Sequence, residues 1–260
     1  MTLRLARSTW LHRLLIFVAL AVVWQVWALN SHSLLIPTFT ATVVALAKLA
    51  TEERLWTALA VSNQAMVIGY LISLAIAIPA GIAMGRFRWF EKLSAGYLGI
   101  LLVLPTAPFI PLVITAFGLE LTARVVLIVL FSSVIVTVTC RAGARQVDPS
   151  LIEMARSFGA SERQTWTKVL IPACMPGIMA GARIGLARSV EGMVLVELLL
   201  ASVGVGGLIL EFEGFFKPDY LYAVVAVIII ESLALSALAR KLEVRLSPWA
   251  SRGGLRQVTR

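Results

Sequence analysis

The sequence predicts an all-α integral membrane protein: six transmembrane helices with a structured cytoplasmic loop between spans four and five. Three observations carry this reading. Of 260 residues, 59% are hydrophobic and only 14% charged, and mean hydropathy is +0.90. A soluble domain is nearer half apolar, with about a quarter of its residues charged. Six apolar stretches cover residues 14–29, 58–84, 97–117, 125–140, 174–202 and 220–239, near the length of about 20 residues that crosses a bilayer core. Helices satisfy their own backbone hydrogen bonds in lipid, where open strands do not. Residues 14–240 therefore read as one membrane domain.

The N-terminal segment 1–13 carries Arg4, Arg7 and Arg13 ahead of the first apolar stretch, as a secretory signal would. No small-x-small cleavage pattern follows; the stretch ends Trp27-Ala28-Leu29-Asn30, so it reads as an uncleaved first helix. Trp24 and Trp27 have the character of an interfacial belt. Segment 40–55 is of mixed polarity and contains Glu52-Glu53-Arg54; it reads as a short amphipathic helix or an ordered external connection. Stretches two and five are long enough to tilt or protrude. Stretch three holds Pro105, Pro108 and Pro111. Each removes a backbone donor and frees a carbonyl, which lipid tolerates only under cover of protein or a water-filled cavity. These prolines either line a path or kink a packing helix.

Charge placement orients the chain. With the N-terminus inside, segments 1–13, 85–96, 141–173 and 240–260 hold three, three, five and six Lys and Arg. The outer segments 30–57, 118–124 and 203–219 hold two, one and one, and Arg183 and Arg188 lie within span five. Seventeen inside against four outside places both termini in the cytoplasm, including a basic tail over 241–260. It also accounts for the net charge of +9 without nucleic acid.

The residues exclude several chemistries. Cys140 and Cys174 make no disulfide framework, and His12 and His32 are the only histidines. No metal site, cofactor site or catalytic nucleophile–base set is legible. Gly204, Gly206 and Gly207 form a glycine-rich turn without the preceding strand a dinucleotide fingerprint requires, and no GxxxxGK[ST] phosphate loop occurs.

The loop over residues 141–172 is the most informative segment. Ser150 and Glu153 have capping-box spacing. Leu151, Ile152, Ala155 and Phe158 follow at helical spacing, and Gly159 suits a left-handed helix stop. Ser161 and Gln164 repeat the capping-box spacing, with a second helix expected to stop before Pro172. Phe158 and Trp166 are good interface anchors. The pair is tethered to membrane spans at both ends, which disfavours a DNA-binding helix-turn-helix. It reads as a docking knob or as a connector that folds on itself.

The pattern Glu153-Met154-Ala155, Gly159, Ile171-Pro172 resembles the EAA loop of ATP-binding-cassette import permeases, with Met154 and Ile171 as mild departures from its consensus. Residues 104–118 and 181–209 are similar to the third and fifth spans of the sulfonate, taurine and nitrate class of these permeases. The resemblance covers roughly residues 55–245. It implies a paired permease, most simply a homodimer, working with two ATPase subunits and an external binding protein. Glu153, Ala155, Phe158, Gly159, Trp166 and Pro172 would then seat the loop on the ATPase. ATP turnover supplies the differential energy between inward- and outward-facing states.

Charges at membrane depth are functional candidates. Span five carries Arg183, Arg188, Glu191 and Glu197. Arg188 lies about 24 Å and Glu191 about 28 Å along the helix from Pro172, three residues apart and able to pair. They form either a structural ion pair or part of a translocation path; Arg183 lies where it can snorkel to the inner surface. A secondary transporter or channel using these charges is the rival reading. A membrane enzyme would need a catalytic cluster that the residues do not supply.

Overall fold

In each long apolar stretch the chain forms helix, and the breaks fall at Pro, Gly and capping residues. The computed structural model describes residues 2–31, 33–200 and 203–246. The elements are α1 (Thr2–Asn30), α2 (Phe39–Ala50), α3 (Glu53–Arg86), α4 (Arg88–Val103), α5 (Phe109–Phe117), α6 (Leu121–Arg145), α7 (Pro149–Ser157), α8 (Glu162–Gln164), a π-helical turn (Thr165–Leu170), α9 (Ile171–Leu200), α10 (Gly204–Gly214) and α11 (Pro218–Leu246). No strand occurs among the described residues.

Four helical runs are long and apolar enough to cross a membrane: Glu53–Arg86, Leu121–Arg145, Glu162–Leu199 and Pro218–Arg245. The apolar part of α1, Leu14–Asn30, is shorter. The third expected span is not one helix but two, α4 and α5. The described residues of segment 1–13 belong to α1. The basic tail lies outside the described residues beyond 246, and the end of stretch five falls on undescribed residues 201–202.

The chain divides into two compact units, one of residues 1–60 and 201–230, the other of residues 61–200 and 231–260. In the first, α2 is shorter than the expected 40–55 helix. Thr38 caps it by accepting from the Ala41 N–H at 3.2 Å, and a new helix begins at Glu53. Trp24 is not a free belt residue. Its indole N–H donates to the Pro37 carbonyl at 3.1 Å, and its ring meets Phe39 and Tyr222 at 5.6 and 5.9 Å. Trp27 stays exposed. The glycines expected to form a turn instead open α10, with Gly204 at φ 66° just inside the helix.

In the second unit α6 packs between α3 and α9 through small residues. A Cβ built on Gly81 would lie 2.6 Å from the Thr137 carbonyl oxygen, one on Gly85 2.5 Å from Ala144 Cβ, and one on Gly185 2.3 Å from Val136 Cγ2. Such contacts are how membrane helices gain dispersion attraction when lipid offers no hydrophobic drive. Ala77, Ile82, Val136, Cys140, Ala144, Leu170, Cys174 and Ile178 form the core there. Both cysteines are free and buried.

Candidate functional site

The loop after α6 is built by local rules. Asp148 caps α7 by accepting from the Ser150 N–H at 2.9 Å, with Pro149 opening the helix. That hydrogen bond holds the Asp148 carboxyl below the usual carboxylate range. The expected Ser150–Glu153 box is therefore displaced: Pro149 is best placed at the first helical position, which moves the cap two residues upstream and puts Ser150 inside the helix. Glu153 is exposed on α7. The stop at Gly159 is as expected, with φ 75°. Ala160 N–H donates to the Ala155 carbonyl at 3.0 Å and Gly159 N–H to that of Arg156 at 2.9 Å, the paired bonds of a Schellman end. Ser161 and Gln164 form the expected reciprocal capping box.

The second helix does not stop before Pro172. It runs from Glu162 through the π-helical turn straight into α9. Within that turn the Ile171 N–H donates to the Trp166 carbonyl five residues back. A proline ring clashes with the carbonyl four residues earlier in a regular helix, and a π-helical turn relaxes that geometry. Span five and the loop's second helix are thus one lever.

The loop side chains separate into two groups. Phe158 is 85% exposed at the tip. Trp166, expected as a second anchor, faces inward: its ring meets Phe87 at 5.7 Å, and with Ile152 and Val147 it packs on the core of the second unit. Ala155 is buried. Arg156 donates to Glu162 at 2.6 Å across the Gly159 turn.

Glu91, in the first turn of α4, bonds Arg141 and, at 2.5 Å, Arg145 at the end of α6. Burial pushes its carboxyl pKa up, but hydrogen bonds and charge from both arginines outweigh that and hold it below its ordinary value of 4.5.

The three prolines sit where helix hydrogen bonding does not need them. Leu104 is extended (φ −65°, ψ 126°) and ends α4, as a residue before proline prefers. Pro108 caps α5 and Pro111 lies in its first turn, where N–H groups lack helical partners in any case. The segment is a break between two helices rather than a kink.

Residues 101–106 at this break, with Leu130, Phe131, Val134 and Ile135 of α6 and Arg188 and Glu191 of α9, line a cavity of about 290 Å³. Arg188 and Glu191 pair as expected, at 2.7 Å, yet their side chains are 51% and 48% exposed.

The buried carboxylate is Glu197, 1% exposed, 3.8 Å from Arg124 and accepting from Ser62 Oγ at 2.8 Å. Arg183, expected to snorkel, lies 3.7 Å from Glu243 of α11. Asn63 donates to Glu231 at 2.5 Å. Sequence reasoning missed Ser62, Asn63, Arg124, Glu231, Glu243 and Glu91. Only Asn63 and Glu231 carried a legible signal, as polar residues inside apolar stretches; the others look like ordinary loop or small polar residues.

Comparison with known proteins agrees with this architecture. The family described as the inner membrane component of binding-protein-dependent transport systems matches residues 69–252. The taurine transport system permease protein TauC of Escherichia coli (strain K12) is 31% identical over 198 residues, 76% of this chain and 72% of that protein. The aliphatic sulfonates transport permease protein SsuC of Bacillus subtilis (strain 168) is 28% identical over 246 residues, 94% of this chain and 89% of that one. In fold, the chain is similar to the structure titled inward facing conformations of the MetNI methionine ABC transporter. The TM-score is 0.61 at 17% identity, covering 74% of this chain and 94% of that chain. The chain belongs to the family of binding-protein-dependent transport system inner membrane components, the multi-pass permease subunits of ATP-binding-cassette importers.

Proposed function

We propose that the chain forms the translocation path for a small sulfonate or related anion and couples it to a separate ATPase through residues 141–172. On this reading two copies pair in the bacterial inner membrane, both termini and the loop face the cytoplasm, and an external binding protein delivers the solute. Residues 14–240 are the permease domain. The single observation that carries the coupling role is Phe158: a large aromatic, 85% exposed, on a turn fixed by a Schellman end, a capping box and an ion pair. An apolar side chain held out by a rigid support has the features of an interface anchor. Glu153 and Gly159 belong to the same docking surface. Ala155, Trp166 and Pro172 support it from within, because they seat α7 and join the second helix to α9.

The similarity to TauC and SsuC supports the sulfonate class. Pro105, Pro108, Pro111, Arg188 and Glu191 are assigned to the path; Arg183 and Glu197, each beside an opposite charge, are assigned to its supporting polar network. The test is uptake of radiolabelled sulfonate by proteoliposomes holding the permease, its ATPase and its binding protein. Uptake that needs ATP inside and fails with Phe158→Ala supports the reading. Uptake independent of ATP favours a secondary transporter.

A further inference from the structure

We propose that the first turns of α4, with the end of α6, hold an anionic phospholipid: its phosphate at a cluster of cations around Glu91, and an acyl chain along the exposed apolar face of α4. The site is separate from the translocation path and from the docking loop. The orientation proposed above places it in the cytoplasmic leaflet, but the binding itself does not depend on that orientation.

The head of the site is an excess of positive charge. Segments 85–96 and 141–145 bring Arg86, Arg88, Lys92, Arg141 and Arg145 together with one acid, Glu91. Arg141 Nη2 donates to Glu91 Oε1, and Arg145 Nη2 to Glu91 Oε2 at 2.5 Å. These bonds fix the cations of α6 beside the first turn of α4. Arg88 and Lys92, one turn apart and flanking Glu91 in the chain, are both exposed. A guanidinium has five N–H donors, so Arg145, half exposed, keeps donors for a second anion. Asp148, the next acid along the chain, is engaged in capping α7. A basic cluster of this size at the end of a membrane helix attracts anionic headgroups.

The tail of the site begins beside Arg88. Trp89, Leu93, Tyr97 and Ile100 are each more than half exposed and recur along one face of the helix. Gly96 lies among them, and nothing stands within 4 Å of a Cβ built there, which leaves a notch in the stripe. From Trp89 to Ile100 the helix rises about 16 Å, close to half of a hydrocarbon core about 30 Å thick. Positive charge at one end, and apolar surface as deep as one leaflet leading from it, complement the head and tail of a single lipid.

Charge decides the occupant. A second copy seated on this face by two-fold symmetry sets the same patch against itself. It brings two clusters of like charge together, which is unfavourable. A zwitterionic lipid carries an ammonium that the cations repel. An anionic lipid gains at each cation, and its phosphate ties α4 to α6 beside Glu91, at the root of the 141–172 loop.

The experiment is native mass spectrometry of the assembled transporter in detergent, titrated with dioleoylphosphatidylglycerol or dioleoylphosphatidylcholine. The parent is expected to hold the phosphatidylglycerol more tightly. Arg88→Gln with Lys92→Gln should weaken that binding about thirtyfold, about fivefold for each cation, while Arg88→Lys with Lys92→Arg keeps it. Arg240→Gln with Lys241→Gln removes the same charge from exposed positions on α11 and should leave binding near the parent. Trp89→Ser with Leu93→Ser should weaken it by removing the tail contact. Equal binding of the two lipids by the parent overturns the proposal. Equal losses from the α4 and α11 pairs reduce the effect to diffuse surface charge and overturn it as well. Displacement of the lipid by inorganic phosphate at equal concentration, with no effect of the Trp89 and Leu93 substitutions, assigns the cations to free phosphate instead. Loss of the two-copy assembly in that variant, with lipid binding intact, shows that a second copy covers the face, which also overturns the proposal.

Discussion

Gly143 of α6 and Gly177 of α9 meet backbone to backbone: a Cβ added to Gly143 would lie 2.8 Å from the Gly177 Cα, and one added to Gly177 2.6 Å from the Gly143 Cα. The contact lies where the 141–172 loop leaves α6 and rejoins α9, so the two helices bracketing the loop are held backbone against backbone. Gly177→Ala should force them apart, with an overpacking cost of about 1–3 kcal/mol. The expected result is a lower thermal unfolding midpoint in detergent. An unchanged midpoint would show that α6 and α9 are not so closely packed.

Gly159 offers a cleaner test, because no atom lies within 4 Å of a Cβ built there. The cost of substitution is backbone conformation alone, about 1–2 kcal/mol for valine at φ 75°. Gly159→Val should insert in the membrane normally but co-purify poorly with the ATPase. Gly159→Asn, which tolerates the left-handed region, should recover most of the association. Equal assembly by both variants and the parent would reduce the loop to a connector.

Phe158→Ala should leave thermal stability within about 0.5 kcal/mol of the parent, as exposed substitutions do, and yet lose ATPase association. Trp166→Ala should do the reverse at first, lowering stability by about 3–5 kcal/mol, because it opens a hole beside Phe87 and the core. Parallel unfolding and pull-down measurements separate the two roles.

Glu91 gives a pH dependence. Its folded carboxyl titrates below 4.5, so its contribution to stability is fully present above that value. The contribution is lost as pH falls through the folded pKa. Glu91→Gln should therefore unfold at a lower midpoint than the parent at pH 7. The gap should close on acidification, measured by thermal scans from pH 7 down to pH 3.5. A constant gap would mean that the two arginines do not act through the carboxylate charge.

Two carboxylates on α9 should behave differently. Glu197→Ala leaves Arg124 without its partner in a buried setting, at a cost of about 3–5 kcal/mol, and removing Arg124 as well should cost less than the two single losses together. Glu191→Ala, half exposed, should change stability by under about 1 kcal/mol. Thermal unfolding of the four variants decides it.

Much of the loop was legible because its signals are local. Gly159 and the Ser161–Gln164 box each need only a few residues of context, and the structure has both. Asp148 displaced Ser150 as cap because Pro149 outranks the pattern that follows it. Pro172 misled as a stop, because a π-helical turn carries the chain past it and nothing within one turn announces that. Arg188 and Glu191 were legible as a pair from their spacing, but their exposure was not, since it depends on the gap that α4 and α5 leave beside them.

The sequence alone determined the class of molecule, its helical content, its family resemblance and the position of the loop, because apolar length, capping chemistry and glycine stops act over short stretches of chain. Tertiary structure decided which charge is buried, which aromatic faces outward and which polar groups meet. Glu197 finds Ser62 and Arg124, Asn63 finds Glu231, and Glu91 finds two arginines about fifty residues away. Those meetings depend on helix packing set by small residues such as Gly81, Gly143 and Gly185. Burial and pairing are properties of helices brought side by side, and no single stretch of chain contains them.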